Sequence, residues 1–121
     1  MSNTEIVRQF FGAWEAKSLD GILDLMTEDA RWLNVGLPES VGKDAIRKAI
    51  APFLATASKV VFKVHHIAES KDGVVLTERT DIFDNNGKEM AVDVMGVLEL
   101  KGGKINAWRE YFDTRALAPA S

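Results

Sequence analysis

Two periodicities divide the chain. Apolar residues recur mostly at helical intervals through the first half and alternate through the second. Ser2 and Glu5 stand at capping-box spacing. Val7, Phe10, Phe11 and Trp14 then repeat at i, i+3, i+4 and i+7, with Ile6 on the flank. This predicts a first helix ending near Lys17. Ser18 is placed to cap a short second helix carrying Leu19, Ile22, Leu23 and Met26. "ARWLNV" (Ala30–Val35) reads as a strand and "GLPES" as a turn. A third helix is expected from Lys43 to about Ala57, with Ile46, Ile50 and Phe53 facing inward. Pro52 lies inside it and is expected to kink it or end it early.

The remainder is strand-like. Lys59–Ser70, Val74–Phe83, Lys88–Leu100 and Ile105–Asp113 are separated by turn signals, of which Asn86-Gly87 is a strong one for a tight hairpin. The tail "TRALAPAS" lies over the sheet or frays. Helices first and a meander last define an α+β chain, a single domain over residues 1–121. Three helices packed on one face of a curved, mostly antiparallel sheet form a cone, whose mouth suits a small molecule.

The strand faces raise the chemical question. In the last strand Trp108, Glu110 and Phe112 share one face, and Arg109, Tyr111 and Asp113 the other. The large apolar neighbours predict that the first face is buried; with the opposite register Glu110 would simply be exposed. Burying a charge alone is expensive, so an inward Glu110 needs a cation or a proton. Counting back from a two-residue turn at Asn86-Gly87 pairs Asn85 with Lys88, Arg79 with Val94 and Asp81 with Val92. Val92, Val94 and Gly96 share that face. Arg79, Asp81 and Glu110 therefore meet on the inward side as two carboxylates and one permanent cation, whose planar fork can hold both. Such a cluster is catalytic or purely structural.

Composition narrows the classes. The chain has 121 residues, 46% of them hydrophobic, and a net charge of −3, which speaks against a general nucleic-acid binder. It contains no cysteine, so disulfides, thiolate catalysis and zinc–cysteine sites are out; this fits a cytoplasmic protein. The N-terminal stretch lacks the apolar run of a signal peptide, and no run approaches a membrane span. His65 and His66 fall on opposite faces of a regular strand, which argues against a shared metal ion.

"TERTD" and "AWREYFD" resemble the paired motifs of the limonene-1,2-epoxide hydrolase family, and "WLNVGLPESVGKDAI" is similar to its strand, turn and helix start. The resemblance covers roughly residues 4 to 117. It implies a cone-shaped fold like nuclear transport factor 2, ketosteroid isomerase and the SnoaL-like proteins. It also implies an acid–cation–acid triad matched here by Arg79, Asp81 and Glu110. Asn34 matches a family asparagine that holds the attacking water, while Trp32 stands where the family has tyrosine. Glu110 in place of aspartate adds about 1.5 Å of reach. Trp32 donates a hydrogen bond but cannot accept one.

The resemblance thus implies one-step hydration of an epoxide. Glu110 is the base, Asn34 and Trp32 hold water, Asp81 is the acid and Arg79 the bridge, with no metal and no cofactor required. The expected apolar walls are Trp14, Phe53, Phe83, Val92, Val94, Phe112 and Leu117, which imply a small hydrophobic substrate. The alternatives are an enzyme like ketosteroid isomerase or a polyketide cyclase, and a non-catalytic small-molecule-binding dimer. A homodimer is expected through the outer sheet face, with His66, Thr80, Asp93, Met95, Arg109 and Tyr111.

Overall fold

In a computed structural model, residues 1–117 are described, Leu117 by its backbone alone. The order is α1 (Asn3–Glu15), α2 (Leu19–Asp24), β1 (Met26–Asn34), β2 (Ser40–Val41), α3 (Lys43–Thr56), β3 (Lys59–Glu69), β4 (Val75–Asn85), β5 (Lys88–Lys101) and β6 (Lys104–Tyr111). A 3-10 turn, Thr114–Leu117, follows.

Ser2 caps α1 by accepting from the Glu5 N–H at 3.2 Å. The helix stops at Glu15 rather than near Lys17, because Lys17 adopts a left-handed φ of 56°. The N–H groups of Lys17 and Ser18 turn back to the carbonyls of Trp14 and Ala13, which satisfies the last turn as a glycine would. Ser18 caps α2 as expected. In α3, Pro52 lies inside the helix without ending it early, and the helix runs to Thr56. β1 starts at Met26, four residues earlier than its apolar pattern suggests, and Ser40 at the end of the expected turn opens the two-residue β2.

The sheet has the order β2-β1-β6-β5-β4-β3. Its pairings are antiparallel except β1 with β6, which run parallel. Asn86 (φ 56°) and Gly87 (φ 90°) make the tight β4–β5 hairpin. The register is the one counted from that turn: Asn85 with Lys88, Asp81 with Val92, Arg79 with Val94. The helices pack on one face, where Phe10, Trp14, Ile22, Ile46, Ile50, Leu98 and Trp108 belong to a single core. Glu15, at the end of α1, accepts from the Phe62 N–H of edge strand β3 at 3.0 Å and so ties the helix to a strand edge.

The ladder shifts register at three places: between Met26 and Arg31 of β1, between Val64 and His66 of β3, and opposite Glu99 and Leu100 of β5. Between Val64 and His66 the β3 register slips by one residue. His65 contacts Thr80 and His66 approaches Glu78, so both histidines lie on the outer face instead of opposite faces. A bulge inserts one residue without any mark in the apolar pattern.

Candidate active site

The inner face of the sheet is built in rows. One row runs Ile67, Thr77, Gly96, Glu110, Asn34 across β3, β4, β5, β6 and β1. The next holds Arg79 beside Val94, and the one after holds Phe62, Asp81 and Val92. Alternation along β4 brings Thr77, Arg79 and Asp81 to this face, and alternation along β6 brings Glu110.

Arg79 is fully buried, and Asp81 and Glu110 nearly so. The guanidinium meets Asp81 in two bonds, Nε to Oδ1 at 3.0 Å and Nη2 to Oδ2 at 2.9 Å. Its other edge meets Glu110 in two more: Nη1 donates to Oε2 at 3.2 Å and Nη2 to Oε1. Nη1 also donates to the Thr77 hydroxyl at 2.9 Å. The guanidinium carbon lies 4.6 Å from the centre of the Phe11 ring and 5.2 Å from that of Phe62. One cation is thus clamped bidentately by two carboxylates and bounded by aromatic rings, as its fork geometry permits.

The charges are set by this enclosure. Burial raises the Glu110 pKa, opposed by Arg79 and assisted by the Asp81 charge, and the result is pushed up to about 7. Burial likewise raises Asp81, against the pull of Arg79. For Arg79 burial works against the charge, but the carboxylates, Glu110 foremost, outweigh it and raise its pKa. Two carboxylates that share one cation have a net charge of −1 when both are ionised, and a single added proton neutralises the cluster. The pair therefore titrates as a unit and tends to hold one proton near neutral pH.

A cavity of about 150 Å³ opens against both carboxylates. Asp81, Glu110, Asn34 and Trp32 line it, and so do Trp14, Phe53, Phe83, Val92, Val94 and Phe112. Arg79 is not among the lining residues and lies behind the two acids it joins. The expectation for the Leu117 side chain falls outside the described residues. Three wall residues escaped the sequence reading as such: Phe62, Met90 and Trp108. Register partners could have found two of them, since Phe62 pairs with Asp81 and Met90 with Phe83. Thr77 was missed too, although its i−2 spacing from Arg79 marks the shared face.

Trp32 is held by its neighbours. Its ring stacks on Trp108 at 5.2 Å with a 13° tilt, and its edge-on partner is Trp14 at 6.2 Å. Its indole N–H is buried without a hydrogen-bond partner. Asn34 and Glu110 are direct neighbours across β1 and β6, and the Val35 N–H bonds to the Glu110 carbonyl at 3.0 Å. Among the described residues, no group of three or more His, Asp or Glu side chains could hold a metal ion, and no helix is long and apolar enough to cross a membrane.

The fold has relatives among known proteins. Residues 7–108 match the SnoaL-like domain, and the chain belongs to that family, with its cone-shaped architecture. Epoxide hydrolase EphG of Mycobacterium tuberculosis is 30% identical over 109 residues, covering 88% of this chain and 70% of that protein. A solved limonene-epoxide-hydrolase-like enzyme from M. tuberculosis superposes with a TM-score of 0.83 at 26% identity, covering 94% of this chain and 84% of its own. The resemblance to that family read from the two strand motifs therefore holds. A SnoaL-like protein from Shewanella denitrificans shares the fold alone, with a TM-score of 0.85 at 9% identity over 95% of this chain and 93% of that one.

Proposed function

We propose that this protein is a hydrolase that opens an epoxide of a small hydrophobic substrate by one-step addition of water. The observation that supports it best is the pairing of two buried carboxylates through Arg79, both facing one apolar cavity. Epoxide opening needs a base and an acid at the same pH, and a shared proton supplies both. In the form that reacts, the shared proton sits on Asp81 and not on Glu110, and the ionised Glu110 takes a proton from a water held beside Asn34. The water oxygen bonds to a ring carbon as the carbon–oxygen bond of the ring breaks. Asp81, protonated, gives its proton to the departing oxygen, and a vicinal diol results. Glu110 ends protonated and Asp81 ionised, so charge is conserved; proton exchange with solvent resets the pair. Arg79 touches no substrate in this scheme and acts by holding the acids at opposite protonation states. Trp32 walls the water site and Asn34 orients the water; the Trp32 indole N–H is enclosed and would reach the water only by a turn of the ring.

The test is hydration of a panel of terpene and cyclohexene epoxides, read as diol formation, with Asp81→Asn beside the wild type. Turnover that Asp81→Asn abolishes supports the scheme. Absence of turnover in the wild type, or equal turnover in the variant, removes it.

A second reading, an isomerase or cyclase that moves a proton next to a carbonyl, draws on Glu110's raised pKa of about 7. There Asp81 would donate to the oxyanion. An unsaturated ketone incubated in heavy water would gain deuterium at carbon under this reading and not under epoxide hydration.

The protein is further proposed to be a cytoplasmic homodimer. The outer sheet face carries exposed Met95 and Tyr111 beside His66, Glu78, Asp93 and Arg109, apolar patches with charges of both signs that suit a self-complementary contact. Light scattering of the purified chain distinguishes one copy from two.

A further inference from the structure

The five N–H groups of Arg79 have five acceptors. Asp81 takes two, Glu110 takes two, and the last, on Nη1, goes to the Thr77 hydroxyl at 2.9 Å. Thr77 is buried and lies 3.3 Å from the Gly96 carbonyl, to which its own O–H donates. With that proton committed, a lone pair is left for Nη1. Gly96 stands between Thr77 and Glu110 in the same row of the sheet. A Cβ at Gly96 would lie 3.0 Å from the Thr77 hydroxyl, 2.5 Å from Nη1 of Arg79 and closer still to Oε2 of Glu110. The guanidinium therefore crosses from β4 to β6 through the space that a side chain at 96 would fill.

We propose that Thr77, seated against Gly96, is a positioning residue: its hydroxyl completes the acceptor set of Arg79 and so fixes how the cation faces Glu110. The bond from Nη1 to Glu110 is the longer of its two, 3.2 Å against 2.9 Å to Thr77, so Nη1 is anchored on the threonine side. Without the hydroxyl one N–H is buried with no acceptor, and the guanidinium is no longer held square to Glu110. The charged groups that bear on Glu110 are Arg79 and Asp81, both from β4; β5 presents Gly96 and β1 presents Asn34. Thr77 thus acts on the proton held at Glu110 through Arg79. As a role in catalysis this rests on the push–pull reading of the pair.

The experiment is the carboxyl titration of Glu110 by carbon-13 NMR in protein labelled at glutamate, with the resonance assigned by its loss in Glu110→Gln. Thr77→Val keeps the volume and removes the hydroxyl. It should loosen the Arg79 pair and make proton binding at Glu110 about tenfold tighter, about one pH unit upward. Thr77→Ser should restore the wild-type titration. A Thr77→Val protein that titrates at Glu110 as the wild type does overturns the proposal, even if it is less stable. Should Thr77→Val fail to fold, Thr77→Ser and Thr77→Ala are compared instead; equal Glu110 titration in those two also overturns it. The readout needs no substrate. Failure to hydrate epoxides would sink the proposed reaction and leave this result standing, and an unchanged titration would sink the role of Thr77 and leave the reaction standing.

Discussion

Asn34 and Glu110 face each other across the one parallel pairing of the sheet. Each lines the cavity, and neither belongs to the hairpin that carries Arg79 and Asp81. In the proposed reaction the water side of the site is thus assembled from the first and last strands, and the acid side from the hairpin between them. A base beside an amide can hold one water by both of its hydrogens. Asn34→Ala should lower kcat for epoxide hydration by about 10²-fold, since a misplaced nucleophile costs roughly that much. Because Asn34 is only half-buried, its melting temperature should change little. Steady-state kinetics with a thermal melt check both.

By the motif resemblance Trp32 and Glu110 stand where the epoxide hydrolase family has tyrosine and aspartate, and they border the same cavity. A longer acid and a flat, donor-only ring fill the space differently from a shorter acid and a hydroxyl. Each single reversion should cost activity: Glu110→Asp withdraws the carboxylate by about 1.5 Å from Arg79, and Trp32→Tyr shrinks the ring that stacks on Trp108. The double variant should recover much of the loss, with a coupling of about 1 kcal/mol between two sites that share one cavity. Rates of the four proteins in one cycle measure it; strict additivity would show that the two departures are unrelated.

Folding stability should fall as pH rises through the window of the buried pair. The Glu110 pKa goes from an ordinary 4.5 to about 7 on folding, with burial the main cause. The folded chain then binds the proton more tightly than the unfolded chain, so the stabilisation is complete below 4.5 and is lost as pH climbs to about 7. Asp81 is raised for the same reason and acts with the same sign. Glu110→Gln removes one titration and relieves the other of a neighbouring charge. Its stability should be flatter than the wild type's between pH 4.5 and 7, as followed by denaturant melts. Equal slopes would show that Glu110 is not shifted.

The meeting of Arg79, Asp81 and Glu110 was legible in the chain because Asn86-Gly87 pins a two-residue turn. Once that turn is set, parity alone places every side chain of β4 and β5. Parity also placed Glu110, between Trp108 and Phe112. It failed at His65, where a bulge adds a residue that no apolar pattern registers, and both histidines moved to the outer face. It assigns Thr77 and Gly96 to the inner face but does not reveal their part, which depends on three strands lying side by side: a threonine and a glycine carry meaning there only as neighbours in one row. The β1–β6 pairing was beyond reach for a like reason, since parallel strands joined through most of the chain leave no turn to count from.

Arg79→Lys tests how much of the site depends on a fork rather than on a charge. Lysine keeps the cation but offers three N–H donors where five acceptors wait. An ammonium centred between the acids cannot grip both bidentately, so Thr77 and at least one carboxylate oxygen lose their bond in a buried space. The expected cost is about 2 to 4 kcal/mol of stability, below the full 3–5 kcal/mol of a buried pair stripped of its partner. Arg79→Met, which leaves two carboxylates facing each other without any cation, should cost more, and its loss should deepen as pH rises and both acids ionise. Denaturant melts of the two variants at pH 5 and pH 8 separate the contributions. A lysine protein as stable as the wild type at both values would mean that charge alone, not the planar fork, holds the cluster together.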